Sequence, residues 1–236
     1  MSRTTRVAIG CTAACVGAAV GAYAAYVGTA WLRYGKVGPR GAPAADESDS
    51  LLDRFMPQYD VAERHHVHVA APAPLVLATA AEMDLQEAPI IRAIFKTREL
   101  LLGAHPDEAA RPKGLLAEMT ALGWGLLAET PGREIVVGAV TQPWKADVVF
   151  RAVAPDRFES FREPGFVKIA WTLRADPLGP SSSLFRTETR VVATDAGARA
   201  KFRWYWARFS PGIVLIRRVA LRHLKKTAEK RLPRHN

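Results

Sequence analysis

Residues 167–195, VKIAWTLRADPLGPSSSLFRTETRVVATD, alternate apolar and polar side chains through two arms separated by a Gly-Pro-Ser-Ser stretch. In the first arm Val167, Ile169, Trp171 and Leu173 alternate with Lys168, Ala170, Thr172 and Arg174. In the second, Phe185, Thr187, Thr189 and Val191 alternate with Arg186, Glu188 and Arg190. Successive side chains of a strand point to opposite faces, so this pattern predicts a long antiparallel hairpin with one buried face and one wet face. Asp195 then stands where it can cap a helix that begins AGARAKFRWYWARF, ends or kinks at Ser210-Pro211, and resumes as GIVLIRRVALRHLKKTAEKRL.

Upstream, YDVAERHHVHV reads as a strand, with Val61, Val67 and Val69 in one register and APAP at its end. PLVLATAAEMDL and APIIRAIFKTRELLLG carry apolar residues at helical spacing and predict two short helices divided near Pro89, with Ile91, Ile94 and Phe95 on one face and Gly103 as the stop. HPDEAARPKG is a loop. Strand-like runs follow: LGWGLLAE, a Pro131-Gly132 turn, REIVVGAVT and DVVFRAVA, then PDRFESFREPG with room for a helical turn. The predicted order is one strand, two helices, a meander of about five strands and a long C-terminal helix, an α+β chain.

With 236 residues, 49% of them hydrophobic and 24% charged, the chain has the composition of a folded domain with an appendage, which excludes intrinsic disorder as its general state. Both cysteines, Cys11 and Cys15, lie in the apolar N-terminal stretch, so the globular part has no disulfide framework, no cysteine-based zinc site and no cysteine nucleophile. Most of the net charge of +10 sits after residue 216, where Arg217, Arg218, Arg222, Lys225, Lys226, Lys230, Arg231 and Arg234 face Glu229 alone.

Residues 7–32 contain no charge, and at about 1.5 Å per residue they exceed the ~30 Å of a hydrocarbon core. The expectation is a transmembrane anchor or signal segment over 1–36, a Pro/Gly linker over 37–50, a domain over 51–231 and a basic tail over 232–236. An anchor retained in the cell membrane as a single pass is favoured by Tyr26 and Trp31 at the far end of the run. A cleaved signal with AYA at 22–24, and hence secretion, is the alternative. Gly17, Gly21 and Ala25 recur at the spacing that lets membrane helices approach, which an Ala/Gly-rich segment also produces by chance.

The order of elements, the split helices after the first strand, and the runs GREIVVGAVTQPW, VKIAWTLRADPLG and FRTETRV resemble the START-like, or SRPBCC, superfamily. Polyketide cyclases, coenzyme Q-binding proteins and plant pathogenesis-related allergens belong to it. The resemblance spans about residues 51–230. It implies a helix-grip fold, a curved antiparallel sheet wrapped around the C-terminal helix, with an apolar cavity between them that holds a lipid, a polyketide or another hydrophobic molecule.

On that arrangement the inner register supplies Trp124, Leu126, Val148, Phe150, Trp171, Leu173, Phe185, Thr187 and Thr189, and the helix supplies Phe202, Tyr205, Trp206 and Phe209. The cavity candidates among them are Trp124, Phe150, Trp171, Phe185, Thr187 and Thr189 from the sheet side. Phe202, Tyr205 and Trp206 come from the helix. The threonine hydroxyls and the Tyr205 phenol are the placed polar groups such pockets need; the competing reading is that these residues only fill a core. Glu63 and His65 share a register and form the one acid–imidazole pair suited to a proton relay. His66 and His68, without a third ligand, point to a solvated strand face rather than to zinc. The basic C-terminal helix suits an anionic lipid surface, and no nucleic-acid motif is present. The expected function is a membrane-anchored domain that binds a hydrophobic small molecule without cofactor, metal or chemistry. A cyclase- or dehydratase-type enzyme and a filled interaction module are the alternatives.

Overall fold

The computed structural model describes residues 3–33, 48–85, 88–103 and 112–232. The expected linker up to residue 47, the loop 104–111 and the tail 233–236 lie outside the described residues.

Helix α1 (Arg3–Arg33) leads to a one-turn α2 (Ser50–Asp53), the strand β1 (Val61–Val69), and the helices α3 (Ala73–Glu82), α4 (Pro89–Leu102) and α5 (Leu115–Ala121). The hairpin β2 (Gly125–Thr130) and β3 (Glu134–Thr141) follows, then a short α6 (Pro155–Phe158), the long hairpin β4 (Val167–Gly179) and β5 (Ser182–Ala193), and α7 (Ala196–Lys230). The strands form one antiparallel sheet in the order β1-β5-β4-β3-β2. An α+β chain with a long C-terminal helix against an antiparallel sheet is the helix-grip arrangement.

Local chemistry explains the boundaries. At the β2–β3 turn Pro131 takes the second position and Gly132, with φ of 68°, the third, while Arg133 N–H donates to the Thr130 carbonyl. Gly103 ends α4 in the left-handed conformation, its N–H returning to the Glu99 carbonyl. Asp195 caps α7 by accepting from Ala198 N–H at 2.9 Å, and its other oxygen accepts from Gly165 N–H. α7 runs unbroken through Pro211, so the expected end or kink at Ser210-Pro211 does not divide it into two helices.

Three expectations are corrected. The run 147–154 is not a strand: it makes one isolated bridge, Arg151 to Val140, because β2 already occupies that edge of β3 as far as Gly138. Residues 115–121, between the expected loop and the strand-like run and assigned to no element from the sequence, form α5.

The second correction concerns the outer face of the sheet, which is covered rather than wet. Leu52, Phe55 and Met56 from the α2 region and Phe158 from α6 pack there on Leu127, Val136 and Ala170. Beneath them Arg190 is 1% exposed and Glu188 5%. Arg190 Nε donates to Glu188 Oε1 at 2.7 Å and its Nη1 to the Met56 carbonyl at 2.8 Å and to Asp53. Lys168 and Arg174, on the same face, have other partners: Lys168 Nζ donates to the Phe158 and Glu159 carbonyls, and Arg174 pairs with Asp176.

The third concerns the N-terminus. Among the described residues no helix is long and apolar enough to cross a membrane, so the transmembrane helix is not supported. The described end of α1 lies instead along α7. Tyr23 Oη donates to the Arg208 carbonyl at 2.9 Å, Tyr26 Oη meets Ser210 Oγ at 3.1 Å, and Arg203 Nε donates to the Trp31 carbonyl with its guanidinium 3.5 Å from the Trp31 ring centre. Ala30 is buried at the contact. The two tyrosine hydroxyls of α1 thus find hydrogen-bond partners on α7.

Candidate ligand-binding cavity

The inner face of the sheet carries the other register. Val61, Glu63, His65, Val67 and Val69 of β1 stand opposite Val191, Thr189, Thr187, Phe185 and Ser183 of β5, and β4 continues the face with Ile169, Trp171 and Leu173. α7 lies over β1, β5 and β4, with α3 beside it and α5 packed on α3. The large aromatics at the front of the sheet and on α7 hold the layers apart, and a cavity of about 330 Å³ remains between them.

All nine sequence-predicted candidates stand on the wall of this cavity. Trp124, Phe150, Trp171, Phe185, Thr187 and Thr189 line it from the sheet side, and Phe202, Tyr205 and Trp206 line it from α7. Trp124 stacks tilted on Phe150 at 5.0 Å and meets Trp171 edge-on at 6.2 Å. On the helix Phe202 lies 5.7 Å from Trp206 and 6.2 Å from Tyr205. These contacts fix a rigid aromatic wall, since offset and edge-on pairs are the favoured geometries. Gly123 makes the Trp124–Phe150 contact possible. Its φ is 98°, and a Cβ there would stand 2.2 Å from the Phe150 carbonyl oxygen.

Two members of the expected inner register, Leu126 and Val148, and Phe209 of the helix are placed elsewhere. Leu126 is 54% exposed on the edge strand, where a bulge between Leu126 and Ala128 shifts the register. Val148 and Phe209 do not line the cavity, although Phe209 supports Tyr205 from 5.0 Å.

The sequence reading missed the most distinctive lining residue, Arg217. It was counted among the basic residues of the tail, yet its guanidinium lines the cavity, where Nη1 donates to Thr187 Oγ1 at 2.8 Å and Nη2 to Thr189 Oγ1. Trp171 presents its ring 5.6 Å away. Burial pushes the guanidinium down to about 10, opposed by the charge of Glu63. The signal was available, because Ile213, Ile216, Arg217, Ala220, Leu221 and Leu224 form one face at helical spacing and Arg217 interrupts it. Other cations of that tail are also engaged: Lys225 with Glu229 and the His68 carbonyl, Arg231 with Glu82.

Few polar groups face the cavity besides these. Thr187, Thr189 and Tyr205 were foreseen; Glu118 of α5 was not, and it is 5% exposed. The Trp124 indole N–H is buried with no hydrogen-bond partner among the described residues, which leaves a donor in the wall. Glu63 and His65, the expected acid–imidazole pair, approach to 3.7 Å but do not line the cavity. Burial pushes the His65 imidazole down, against the charge of Glu63. His66 and His68 are exposed, and among the described residues no three His, Cys, Asp or Glu are placed to hold a metal.

No family model matches the chain, and no curated protein does. Among solved structures it is similar to norcoclaurine synthase from Thalictrum flavum in complex with dopamine and hydroxybenzaldehyde, at 10% identity over 84% of this chain and 100% of that one, with a TM-score of 0.35. It is similar to the Zhui aromatase/cyclase from Streptomyces sp. R1128 at 16% identity over 74% and 96%, TM-score 0.25. A hypothetical protein from Helicobacter pylori matches at 7% identity over 81% and 99%, TM-score 0.37. At such low superposition these matches say nothing of what this chain binds.

Proposed function

We propose that this chain binds a hydrophobic small molecule, of lipid or polyketide-like character, between α7 and the sheet and holds it without performing chemistry on it. The observation that carries this reading is the cavity itself: about 330 Å³ walled by aromatics and aliphatics with a handful of placed polar groups. That is the composition of a small-molecule site, and its volume falls within the usual range of roughly 300–1,000 Å³. A ligand entering it is stabilised by about 25 cal/mol for each Å² of apolar surface removed from water. The acid–imidazole pair expected to serve turnover of a cyclase or dehydratase kind, Glu63 and His65, stands off the cavity wall.

The test is titration of the full chain with the neutral apolar dye N-phenyl-1-naphthylamine, alongside Ala220→Trp, which places an indole in the cavity. The expected result is saturable fluorescence gain at one dye per chain, lost in a variant whose circular dichroism is unchanged. Absence of saturable binding, or binding indifferent to the substitution, contradicts the proposal.

A further inference from the structure

Arg217 is an unusual residue to find in an apolar wall. A guanidinium taken out of water loses several kcal/mol of hydration and regains it only by pairing with an anion or by a full set of hydrogen bonds. Here the contacts are neutral: the hydroxyls of Thr187 and Thr189, and the face of Trp171 at 5.6 Å. Glu63, opposite Thr189 on β1, is the acid whose charge acts on it. A guanidinium carries five N–H donors in a planar fork, and two hydroxyls occupy two of them.

Its surroundings fix its direction. Thr187 and Thr189 lie two residues apart on the inner face of β5, so their hydroxyls grip both terminal nitrogens and hold the plane of the fork. An arginine held this way matches the planar, two-oxygen geometry of a carboxylate, which a lysine does not. Around it the wall is Trp171, Ile213, Ile216, Ala220 and Leu221, apolar in every case.

We propose that Arg217 is the recognition group for a carboxylate, and that the ligand of this cavity is an amphipathic acid whose head meets the guanidinium and whose apolar body lies against the aromatic wall. This rests on the reading of the cavity as a small-molecule site. The carboxylate completes the pairing that two threonines leave partial, and the low dielectric of the wall strengthens it. An acid of this kind is discriminated from the alcohol of equal length by its charge, since both bury the same apolar surface. The other charged lining residue, Glu118, belongs to α5 and predicts the opposite preference if it were the one that reads the ligand.

The experiment compares decanoate, 1-decanol and decylamine as competitors for N-phenyl-1-naphthylamine on the full chain at neutral pH. Decanoate is expected to displace the dye at a concentration at least about tenfold lower than 1-decanol, with decylamine weakest. Arg217→Met is expected to remove the preference for the acid while leaving displacement by 1-decanol, and Arg217→Lys to keep a reduced preference. If Arg217→Met does not fold, Arg217→Lys carries the assignment, because an unchanged acid-to-alcohol ratio in it overturns the role of the planar fork. Equal potency of acid and alcohol on the wild type, a preference for decylamine, or a preference that survives in Arg217→Met each overturns the inference while leaving the cavity reading intact. Displacement by none of the three overturns the cavity reading, and the inference with it.

Discussion

Arg217 of α7 reaches the sheet beside Trp171 of β4, the guanidinium carbon 5.6 Å from the ring centre. The helix thus brings a cation, and the sheet an aromatic face, to the place where the two layers stand apart. A cation over a desolvated indole is worth about 2 kcal/mol, too little to repay the burial of a guanidinium unaided. The threonine hydroxyls therefore matter to folding as well as to binding.

Thr189→Val keeps the shape of the side chain and removes the hydroxyl that accepts from Arg217 Nη2. It is expected to cost roughly 1–3 kcal/mol by denaturant unfolding, the penalty of leaving a buried donor unpaired. Combining it with Arg217→Met should cost less than the sum of the two single changes, since the donor is then gone. Strict additivity contradicts the contact.

On the outer face, Glu134 and Asp49 place two buried carboxyls together. Burial first, then the neighbouring Asp49, pushes the Glu134 carboxyl from 4.5 up to about 8. A group whose value is raised on folding contributes its stability in full below its unfolded value and loses it as pH rises through the folded one. Wild type is therefore expected to lose stability relative to Glu134→Gln, on the order of 5 kcal/mol at most, between about pH 4.5 and 8. Thermal melts across this window check it, and parallel curves for the two proteins contradict it.

Arg190 ties α2 to the sheet through Asp53, the Met56 carbonyl and Glu188. Truncating one partner of a buried charge pair leaves the other uncompensated, although Arg64 still holds Glu188 at 2.8 Å. Arg190→Ala is expected to destabilise by roughly 3–5 kcal/mol, read as a lower denaturation midpoint with an unchanged slope. A change below about 1 kcal/mol, the size of an exposed pair, contradicts the burial.

Gly123→Ala tests what shapes the cavity. The new Cβ meets the Phe150 carbonyl in a backbone conformation that side chains rarely adopt, so the chain near Phe150 must move and carry its ring off Trp124. The expected result is a lower melting temperature together with weaker dye binding. A loss of stability with binding untouched contradicts the role of the Trp124–Phe150 contact in the wall.

Much of this was legible because period-2 alternation is a strong signal wherever one face is buried. Trp171, Phe185, Thr187 and Thr189 read inward from their spacing alone. Arg217 was hidden by its neighbours: within a run of basic residues a cation reads as solvated, and only its place in the apolar stripe of α7 marks it as inward. The outer face misled for the opposite reason. Arg186, Glu188 and Arg190 have the sequence of a wet face, and the segments that cover it, α2 and α6, are too short to show helical periodicity. At the N-terminus a charge-free run predicts a span, whereas the contacts of Tyr23, Tyr26 and Trp31 with α7 depend on residues far away in the chain.

The most direct measurement is native mass spectrometry of the full chain purified from its own host, followed by solvent extraction of whatever it carries. The account predicts a copurifying apolar acid at close to one molecule per chain, released when the protein is unfolded and reduced in Arg217→Met. A chain that is empty after gentle purification, and stays empty when offered decanoate, contradicts it.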